Sequence, residues 1–152
     1  MFLSRVFTLY PEYFPGYLSK GLFGKSKGKE WDLETVNIRD YALDKHKTVD
    51  DTPYGGGNGM IMKADVLANS LDENIKTKEK TVYLSPRGKV FNSNLAREFS
   101  NEKIINLICG HFEGVDERIL ESRDIEEISI GDFILSGGEV AAFVVIDSIL
   151  RF

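Results

Sequence analysis

Residues 128–140 read Ile-Ser-Ile-Gly-Asp-Phe-Ile-Leu-Ser-Gly-Gly-Glu-Val, and this stretch sets the expected layout of the fold. Ile128–Ile130 alternates like a strand, Gly131–Asp132 interrupts it, and Phe133–Leu135 resumes it. Ser136–Gly138 then turns the chain into an apolar helix. Two glycine breaks this close together expose backbone N–H and C=O groups beside apolar side chains. They favour a pocket that grips a flat, partly polar ligand through main chain. Two hairpin turns in an ordinary sheet are the alternative.

Apolar runs and helical stretches alternate along the rest of the chain. Ile104–Cys109 is apolar except for Asn106, a pattern that is typical of a buried parallel strand. Further strands are expected at residues 2–10, 31–38, 60–62 and 81–84, and helices at 63–75, 92–100, 115–123 and from 140 onward. This alternation predicts an α/β fold with a mostly parallel sheet flanked by helices.

Two further expectations concern proline and glycine. Pro11-Glu12 can begin a helix that fades into residues 21–28, because proline fits the first helical turn and an acid suits its positive end. That helix would carry four side chains inward: Tyr13, Phe14, Tyr17 and Leu18. Ser85–Gly88 contains both a proline and a glycine and predicts a turn that ends the strand at Leu84. Pro53–Gly59 is too rich in glycine for regular structure.

Length and composition indicate one globular domain. The chain has 152 residues, of which 42% are hydrophobic and 28% charged. Its single cysteine, Cys109, permits no internal disulfide, and neither a signal peptide nor an apolar run of bilayer length occurs. We therefore expect a cytoplasmic protein without a membrane partner. Because residues 149–152 still have helical character, we also expect the natural protein to continue beyond Phe152.

Charge is distributed unevenly along the chain. The net charge of −5 argues against a protein that coats nucleic acid through general phosphate neutralisation. Acidic residues concentrate at 113–127, whereas the early half carries two basic groups: Lys20, Lys25, Lys27 and Lys29, then Arg39, Lys45, His46 and Lys47. This asymmetry would place a polyanion on one side of the molecule, and a pair of solvated surface segments is the alternative.

Three common sites can be set aside. Gly24-Lys25-Ser26 resembles the end of a phosphate-binding loop, but the glycine required five residues earlier is Ser19. Pro53–Gly59 lacks the G-x-G-x-x-G spacing of a dinucleotide site and does not follow the first strand. The two histidines and Cys109 have no metal-ligand spacing, so a zinc site is not expected.

Three chain breaks follow apolar strands, at residues 84–86, at 109–114 and in the opening stretch. In an α/β sheet such strand ends meet at one edge, where ligands bind. Glu113 and Asp116 flank Gly114, so the same edge carries carboxylates that suit a positively charged ligand or a magnesium ion. The alternative for Asp116 and Glu117 is placement at a helix N-terminus, beside the positive end of the dipole.

Four motifs occur in order, and the three chain breaks lie in the last three of them. The motifs are Asp50-Asp51-x-Pro53-Tyr54-Gly55-Gly56-Gly57-x-Gly59-Met60, Leu84-Ser85-Pro86-x-Gly88, Cys109-Gly110-x-x-Glu113-Gly114-x-Asp116-Glu117-Arg118 and Ser129-Ile130-Gly131-Asp132-x-x-Leu135-Ser136-Gly137-Gly138-Glu139. With these motifs the chain resembles the bacterial tRNA (guanine-N1)-methyltransferases of the SPOUT superfamily, from the first strand to the last residue. The resemblance implies a deep trefoil knot in the later half, which pattern analysis cannot reveal because knots are rare exceptions to normal connectivity.

The resemblance also implies an obligate homodimer with active sites at the interface, for which the helix from Val140 to Phe152 could supply an apolar face. Burial of that helix within one chain is the alternative.

The resemblance further implies that S-adenosylmethionine lies bent in the knot and is held mainly by backbone. The glycines of the final motif would let main chain approach the cofactor closely. The residues that the resemblance assigns to this cofactor are Leu84, Ser85, Pro86, Gly110, Ser129, Ile130, Gly131, Asp132, Phe133, Ile134, Leu135, Gly137 and Gly138.

Catalytic groups follow from the same resemblance. Guanine N1 is a poor nucleophile until it loses its proton, so the site needs a carboxylate base near N1 and a cation near O6. Arg151 matches the family arginine in the signature Asp147-Ser148-x-x-Arg151-Phe152 and is assigned the second role, with placement at a helix C-terminus as its alternative. Glu113 would help to hold magnesium or the guanine edge. The family's catalytic aspartate is expected after residue 152.

Contacts with the tRNA anticodon loop are implied at five positions: His46, Asp50, Tyr54, Gly55 and Gly59. Single-stranded bases are splayed out and read on their edges, which suits a glycine loop, and a plain surface loop is the alternative. His111 and Phe112 stand where relatives often carry arginine and tyrosine, and Phe133 replaces a common tyrosine. These departures remove a guanidinium and two hydroxyl groups.

The predicted function is methyl transfer from S-adenosylmethionine to N1 of the guanosine 3′ of the anticodon, with no DNA partner. Residues 1–152 would form the cofactor-binding domain, without the family's C-terminal tRNA-binding domain. We therefore expect these residues to bind the cofactor but to transfer methyl groups poorly. The alternatives are a non-catalytic RNA-binding module and a SPOUT methyltransferase that acts on another RNA.

Overall fold

The computed structural model describes residues 1–44, 46, 49–51, 61–111 and 114–152. Its strands are Phe2–Thr8 (β1), Trp31–Asn37 (β2), Asp50–Asp51 (β3), Ile61–Met62 (β4), Lys80–Val90 (β5), Ile104–Cys109 (β6) and Glu126–Ser129 (β7). Five of them form a sheet in the order β2-β1-β6-β5-β7, and all its pairings are parallel. β3 and β4 pair antiparallel in a separate ribbon. The predicted parallel sheet is therefore confirmed.

The α-helices are Gly21–Ser26 (α1), Ala64–Asn74 (α2), Ser93–Phe99 (α3), Glu117–Ser122 (α4) and Glu139–Leu150 (α5). Three 3-10 turns, at Pro11–Tyr13, Gly16–Ser19 and Ile38–Tyr41, complete the regular structure of the described residues. Asn92 and Asp116 cap α3 and α4, since their side chains accept hydrogen bonds from the backbone N–H groups of Leu95 and Arg118. The helical alternative for Asp116 is thus confirmed, and four of the five helices lie where periodicity predicts them.

Adjacent strand residues point to opposite sides of the sheet, and helices cover both sides. Val6 and Leu107 belong to one core cluster, with α3 and α5. Phe7 and Ile108 belong to the other, with α2 and α4. Strands that are covered on both faces read as continuous apolar runs, which explains the pattern of β6.

Asn106 is the polar exception within β6, and the structure satisfies it. Its amide donates a hydrogen bond to Glu79 Oε1 at 3.0 Å and accepts one from Arg5 Nη1 at 2.9 Å. Arg5 also donates to Glu79 at 2.7 Å. The three side chains tie together neighbouring strands and the entry to β5, so a buried amide costs little here.

The helix predicted from Pro11 does not form. Pro15 has no N–H to donate and Gly16 takes a φ of +55°, so the segment breaks into two 3-10 turns. As a result, Tyr13 and Tyr17 are each 51% exposed rather than buried, whereas Leu18 is buried as predicted.

Residues 21–26, where the predicted helix was expected to fade, form the separate helix α1. The helix is anchored by the buried Trp31, whose indole N–H donates to the Phe23 carbonyl and to Ser26 Oγ, both at 3.1 Å. The lysine- and glycine-rich composition of residues 21–28 does not indicate this helix, because the side chain that anchors it belongs to the next strand.

Ser85–Gly88 does not end the fifth strand, which continues to Val90. The break instead lies in the pairing, because Leu84 and Lys89 both pair with Ile128 of β7. A Cβ atom on Gly88 would lie 2.5 Å from the Glu127 carbonyl carbon, so glycine is what allows the irregular stretch to stay against its neighbour.

Phe133–Leu135 does not resume a strand either. Ser129 Oγ donates to the Gly131 carbonyl at 2.9 Å and accepts from the Gly131 N–H at 3.1 Å, which turns the chain away from the sheet after β7. The side chains of Phe133, Ile134 and Leu135 are 50%, 89% and 36% exposed.

Some expectations stay predictions. Pro53–Gly59 lies outside the described residues, and the trefoil knot is not tested by the strand order alone. Within the described part of the chain, no helix has the length and apolar character needed to cross a membrane.

Candidate functional site

A cavity of about 280 Å³ lies at the carboxyl ends of β6 and β7 and at Leu84, where the regular pairing of β5 ends. The start of α5 closes it. This is the edge of a parallel sheet at which α/β proteins bind small molecules, and the volume is close to the lower end for such sites. Its walls come from three chain breaks that the sequence places after apolar strands. The lining residues are Tyr83, Leu84, Ser85, Pro86, Arg87, Gly110, His111, Gly114, Ile128, Ser129, Ile130, Gly131, Phe133, Ile134, Leu135, Ser136, Gly137, Gly138 and Ala141.

Backbone approaches backbone at the floor of this cavity. Gly138 donates its N–H to the Gly110 carbonyl at 3.0 Å. A Cβ atom on Gly138 would lie 2.8 Å from Cys109 Cα, and one on Gly110 would lie 2.6 Å from the Tyr83 ring. Side chains other than hydrogen do not fit at either position, so main-chain groups line the floor.

All of the predicted cofactor residues except Asp132 line this one cavity. The structure thus brings together residues from 84–86, 110 and 129–138, which are far apart in the chain. Asp132 is exposed, on the turn that Ser129 makes with Gly131, and does not line the cavity. A short turn cannot aim every side chain at the same space.

Several lining residues were not predicted, and Tyr83 is the most buried aromatic among them, at 5% exposed. Burial, and then the negative charge of Glu127, raise the pKa of Tyr83 to about 12. Its hydroxyl is therefore neutral at physiological pH and can donate a hydrogen bond. Tyr83 precedes Leu84 in one strand, where alternation assigns neighbours to opposite faces, and the sequence gives no signal that both reach the cavity.

A buried polar cluster supports the cavity from α5. Glu139 is 4% exposed, accepts a hydrogen bond from Thr8 Oγ1 at 2.6 Å, and lies 2.7 Å from His111 Nε2. A Cβ atom on Gly137 would lie 2.2 Å from the His111 ring, so the imidazole packs against the loop that leads into α5. Tyr10 covers the same ring with its centroid 5.1 Å away. The cluster fixes the loop relative to the end of β1.

Cys109 is fully buried beside this cluster. Burial, and then the charge of Glu139, raise the pKa of its thiol well above the ordinary value. A thiol kept in its neutral form is neither a nucleophile nor a metal ligand.

Comparison with known proteins identifies the family of this chain. The sequence model of the family described as tRNA (Guanine-1)-methyltransferase TrmD matches residues 2–152. The chain belongs to this family. Its sequence is 66% identical over 152 residues to the tRNA (guanine-N(1)-)-methyltransferase of Pelagibacter ubique, covering 99% of this chain and 67% of that protein.

Two more members of the family are similar to the chain over nearly its whole length. The tRNA (guanine-N(1)-)-methyltransferases of Bartonella tribocorum and Rhizobium johnstonii are 55% and 50% identical, and each alignment covers 99% of this chain. It covers 65% and 62% of those two proteins. The chain thus spans about two thirds of the length of the curated relatives it matches.

Arg151, the predicted catalytic arginine of the family signature, does not line the cavity. It follows the last residue of α5, whereas the cavity lies at the first turn of that helix. Twelve helical residues separate the two places by about 18 Å, since an α-helix rises 1.5 Å per residue. Within one chain, therefore, the arginine and the cavity are apart.

The other predicted site residues lie outside the described residues or away from the cavity. Tyr54, Gly55, Gly59 and Glu113 lie outside the described residues, as does the side chain of Asp50. His46 is exposed and away from the cavity. In the part of the chain that the structure describes, no group of three or more His, Cys, Asp or Glu side chains could hold a metal ion. The prediction of magnesium at Glu113 is not tested.

Proposed function

We propose that this chain binds S-adenosylmethionine in the cavity at the ends of β5, β6 and β7 and serves a methyltransferase that acts on N1 of guanine in tRNA. The observation that carries the proposal is the cavity itself, in which residues of three family motifs converge on main chain exposed by Gly110 and Gly138. Family membership supports the same reaction, because the relatives are named for it. A tRNA substrate would place the protein in the cytoplasm.

The residues present fit this cofactor. S-adenosylmethionine would supply an activated methyl group on a sulfonium centre. Leu84 and Ile130 offer apolar surface to a flat ring, while the backbone at Gly110 and along 130–135 offers donors and acceptors to its edge. Phe133 and Ile134 are half or more exposed and form the open wall.

Arg151 would act on the base rather than on the cofactor, by stabilising charge at guanine O6. Because Arg151 is about 18 Å along α5 from the cavity of its own chain, we propose that the partner's Arg151 completes each site in a homodimer. Val140 and Val144, which are 57% and 40% exposed on α5, provide apolar surface for such an interface.

Recognition of the anticodon loop we assign to His46, Asp50 and the loop 54–59, and a supporting role at the guanine edge or at magnesium to Glu113. Removal of the N1 proton needs a carboxylate base, and the resemblance assigns that role to an aspartate after residue 152.

The test is transfer of radiolabelled methyl from S-adenosylmethionine to an unmodified tRNA with guanosine 3′ of the anticodon. Product nucleosides are mapped, and the full-length Pelagibacter ubique enzyme serves as the positive control. Label confined to N1-methylguanosine agrees with the proposal. Label at another nucleoside, or none at all from a folded sample that binds the cofactor and the tRNA, would overturn the assignment of the reaction.

A further inference from the structure

A second groove, of about 1160 Å³, lies between α1 and the C-terminal end of α5. We call it the basic groove, because four cationic side chains line it: Lys20, Lys25, Lys29 and Arg151. Of the aromatic rings that line it, two are exposed: those of Tyr17 and Phe152, at 51% and 54%. It shares no lining residue with the cavity at the ends of β5, β6 and β7.

The charges of the groove are available to a ligand. Among the described residues, Lys20, Lys25 and Lys29 form no ion pair, whereas Lys27, which does not line the groove, is paired with Asp32 at 2.8 Å. The lining carboxylates are Glu30 and Asp147, and Asp147 accepts a hydrogen bond from Tyr17. The groove is therefore positive in a chain whose net charge is −5.

The lysines are presented by an ordered surface. The α1 helix packs so closely on the preceding 3-10 turn that a Cβ atom on Gly24 would lie 2.1 Å from the Ser19 carbonyl oxygen. Gly28, at a φ of +84°, donates its N–H to the Trp31 carbonyl at 2.6 Å and so returns the chain to β2. A positive surface that is fixed in this way loses little freedom when it binds.

A further cation extends the surface past the end of α5. The Arg97 guanidinium carbon lies 5.0 Å from the centroid of the Phe152 ring, within the range of a cation–π contact. Cations interleaved with exposed aromatic rings are the usual composition of single-stranded nucleic-acid sites, where phosphates meet the charges and bases stack on the rings.

We propose that the basic groove binds the phosphate backbone of the RNA substrate. The proposal rests on the proposed function, since RNA is the polyanion which that reaction brings to the protein. Arg151 belongs to the groove and is also the residue assigned to guanine O6, so the groove leads directly to the reacting base. The overall negative charge makes non-specific attraction weak, and binding of RNA therefore depends on this local positive surface.

The test compares two pairs of lysines. Lys25→Gln with Lys29→Gln removes two charges from the groove, and Lys76→Gln with Lys78→Gln removes two exposed charges elsewhere on the surface. Binding of an unmodified tRNA transcript to the whole chain is measured between about 50 and 200 mM salt. For the groove pair, the slope of log affinity against log salt falls by about 2, one for each phosphate contact, and affinity at low salt falls roughly tenfold. For the control pair, both quantities stay close to those of the wild type.

Binding of S-adenosylmethionine is measured on the same samples and separates the possible failures. If wild type binds both ligands but the two lysine pairs behave alike, the groove does not hold RNA and the proposed function stands. If wild type binds neither ligand, the proposed function fails and this inference fails with it. If the groove pair changes the sedimentation of the protein but not the salt slope, the groove is occupied by a second copy of the chain, which also overturns the inference.

Discussion

Gly138 shows how a single residue without a side chain can shape the cavity. Its lack of a side chain lets the start of α5 rest on the end of β6, where its N–H meets the Gly110 carbonyl. The same lack leaves backbone groups open toward the cavity. A Cβ atom at position 138 would lie 2.8 Å from Cys109 Cα, which is closer than real Cβ atoms come to other heavy atoms. Both effects therefore require glycine at this position.

Gly138→Ala is expected to lower the affinity for S-adenosylmethionine by about tenfold or more, because the first turn of α5 must move away from β6. Calorimetric titration measures the change. Asp132→Ala is the matched control from the same loop, and it is expected to bind like wild type because Asp132 does not line the cavity. A drop with Asp132→Ala and none with Gly138→Ala would reverse this account of the cavity.

Glu139 gives a second expectation at this scale. Glu139→Ala leaves Thr8 and His111 without their buried partner and is expected to destabilise the fold by about 3 kcal/mol. Glu139→Gln keeps a carbonyl oxygen for Thr8, and its cost should be nearer 1 kcal/mol. Urea unfolding at neutral pH measures both. Equal stability of the two variants would mean that the carboxylate does not organise this cluster.

At the scale of elements, the centre of the sheet depends on the Arg5, Glu79 and Asn106 network. Burial alone would raise the pKa of Glu79, but hydrogen bonds from Asn106, Thr77 and Arg5, with the charge of Arg5, lower it overall. A carboxyl whose pKa is lower in the folded state stabilises the fold above its unfolded pKa of about 4.3. That stabilisation is lost as the pH falls through the folded pKa.

Urea unfolding between about pH 6 and pH 3 is therefore expected to show a stability that declines with acidification, and Glu79→Gln should flatten the decline. Glu34→Gln is the control, because Glu34 also bonds Arg5 but its side chain is 51% exposed. Its effect should stay within about 1 kcal/mol at all pH values. A slope that Glu79→Gln leaves unchanged would show that other carboxyls govern acid unfolding.

Local patterns predicted most elements and failed at specific residues. The run at 104–109 and the periodicity at 63–75 are determined by burial of the segment itself, so they are visible in the sequence. The break at Pro15-Gly16 and the pairing shift beside Gly88 depend on single residues that override a longer pattern. The strand order β2-β1-β6-β5-β7 is non-local and has no signature in any one segment.

The glycine-rich lining of the cavity was predicted more completely than Tyr83 and His111, for a physical reason. Backbone-lined positions require glycine or a sharp turn, which a sequence displays directly. Tyr83 reaches the cavity only because of the way β5 lies against its neighbours, and His111 only because Glu139 and Gly137 come from α5. Such residues become visible when the elements are placed together.

Over the whole molecule, the proposed functions are divided between two regions. The cavity lies at one end of α5, and Arg151 with the basic groove lies at the other. A single chain cannot bring the two together across about 18 Å of helix, so the complete reaction would require two protomers. The proposed binding of the methyl donor involves only the cavity, so it can be tested without RNA.

The most direct measurement is calorimetric titration of S-adenosylmethionine into the 152-residue chain. We expect saturation at one site per chain with a dissociation constant of roughly 1 mM or tighter, which corresponds to about −4 kcal/mol or better. Absence of binding by a folded, dimeric sample would contradict the claim that residues from these family motifs form a cofactor site at the ends of β5, β6 and β7.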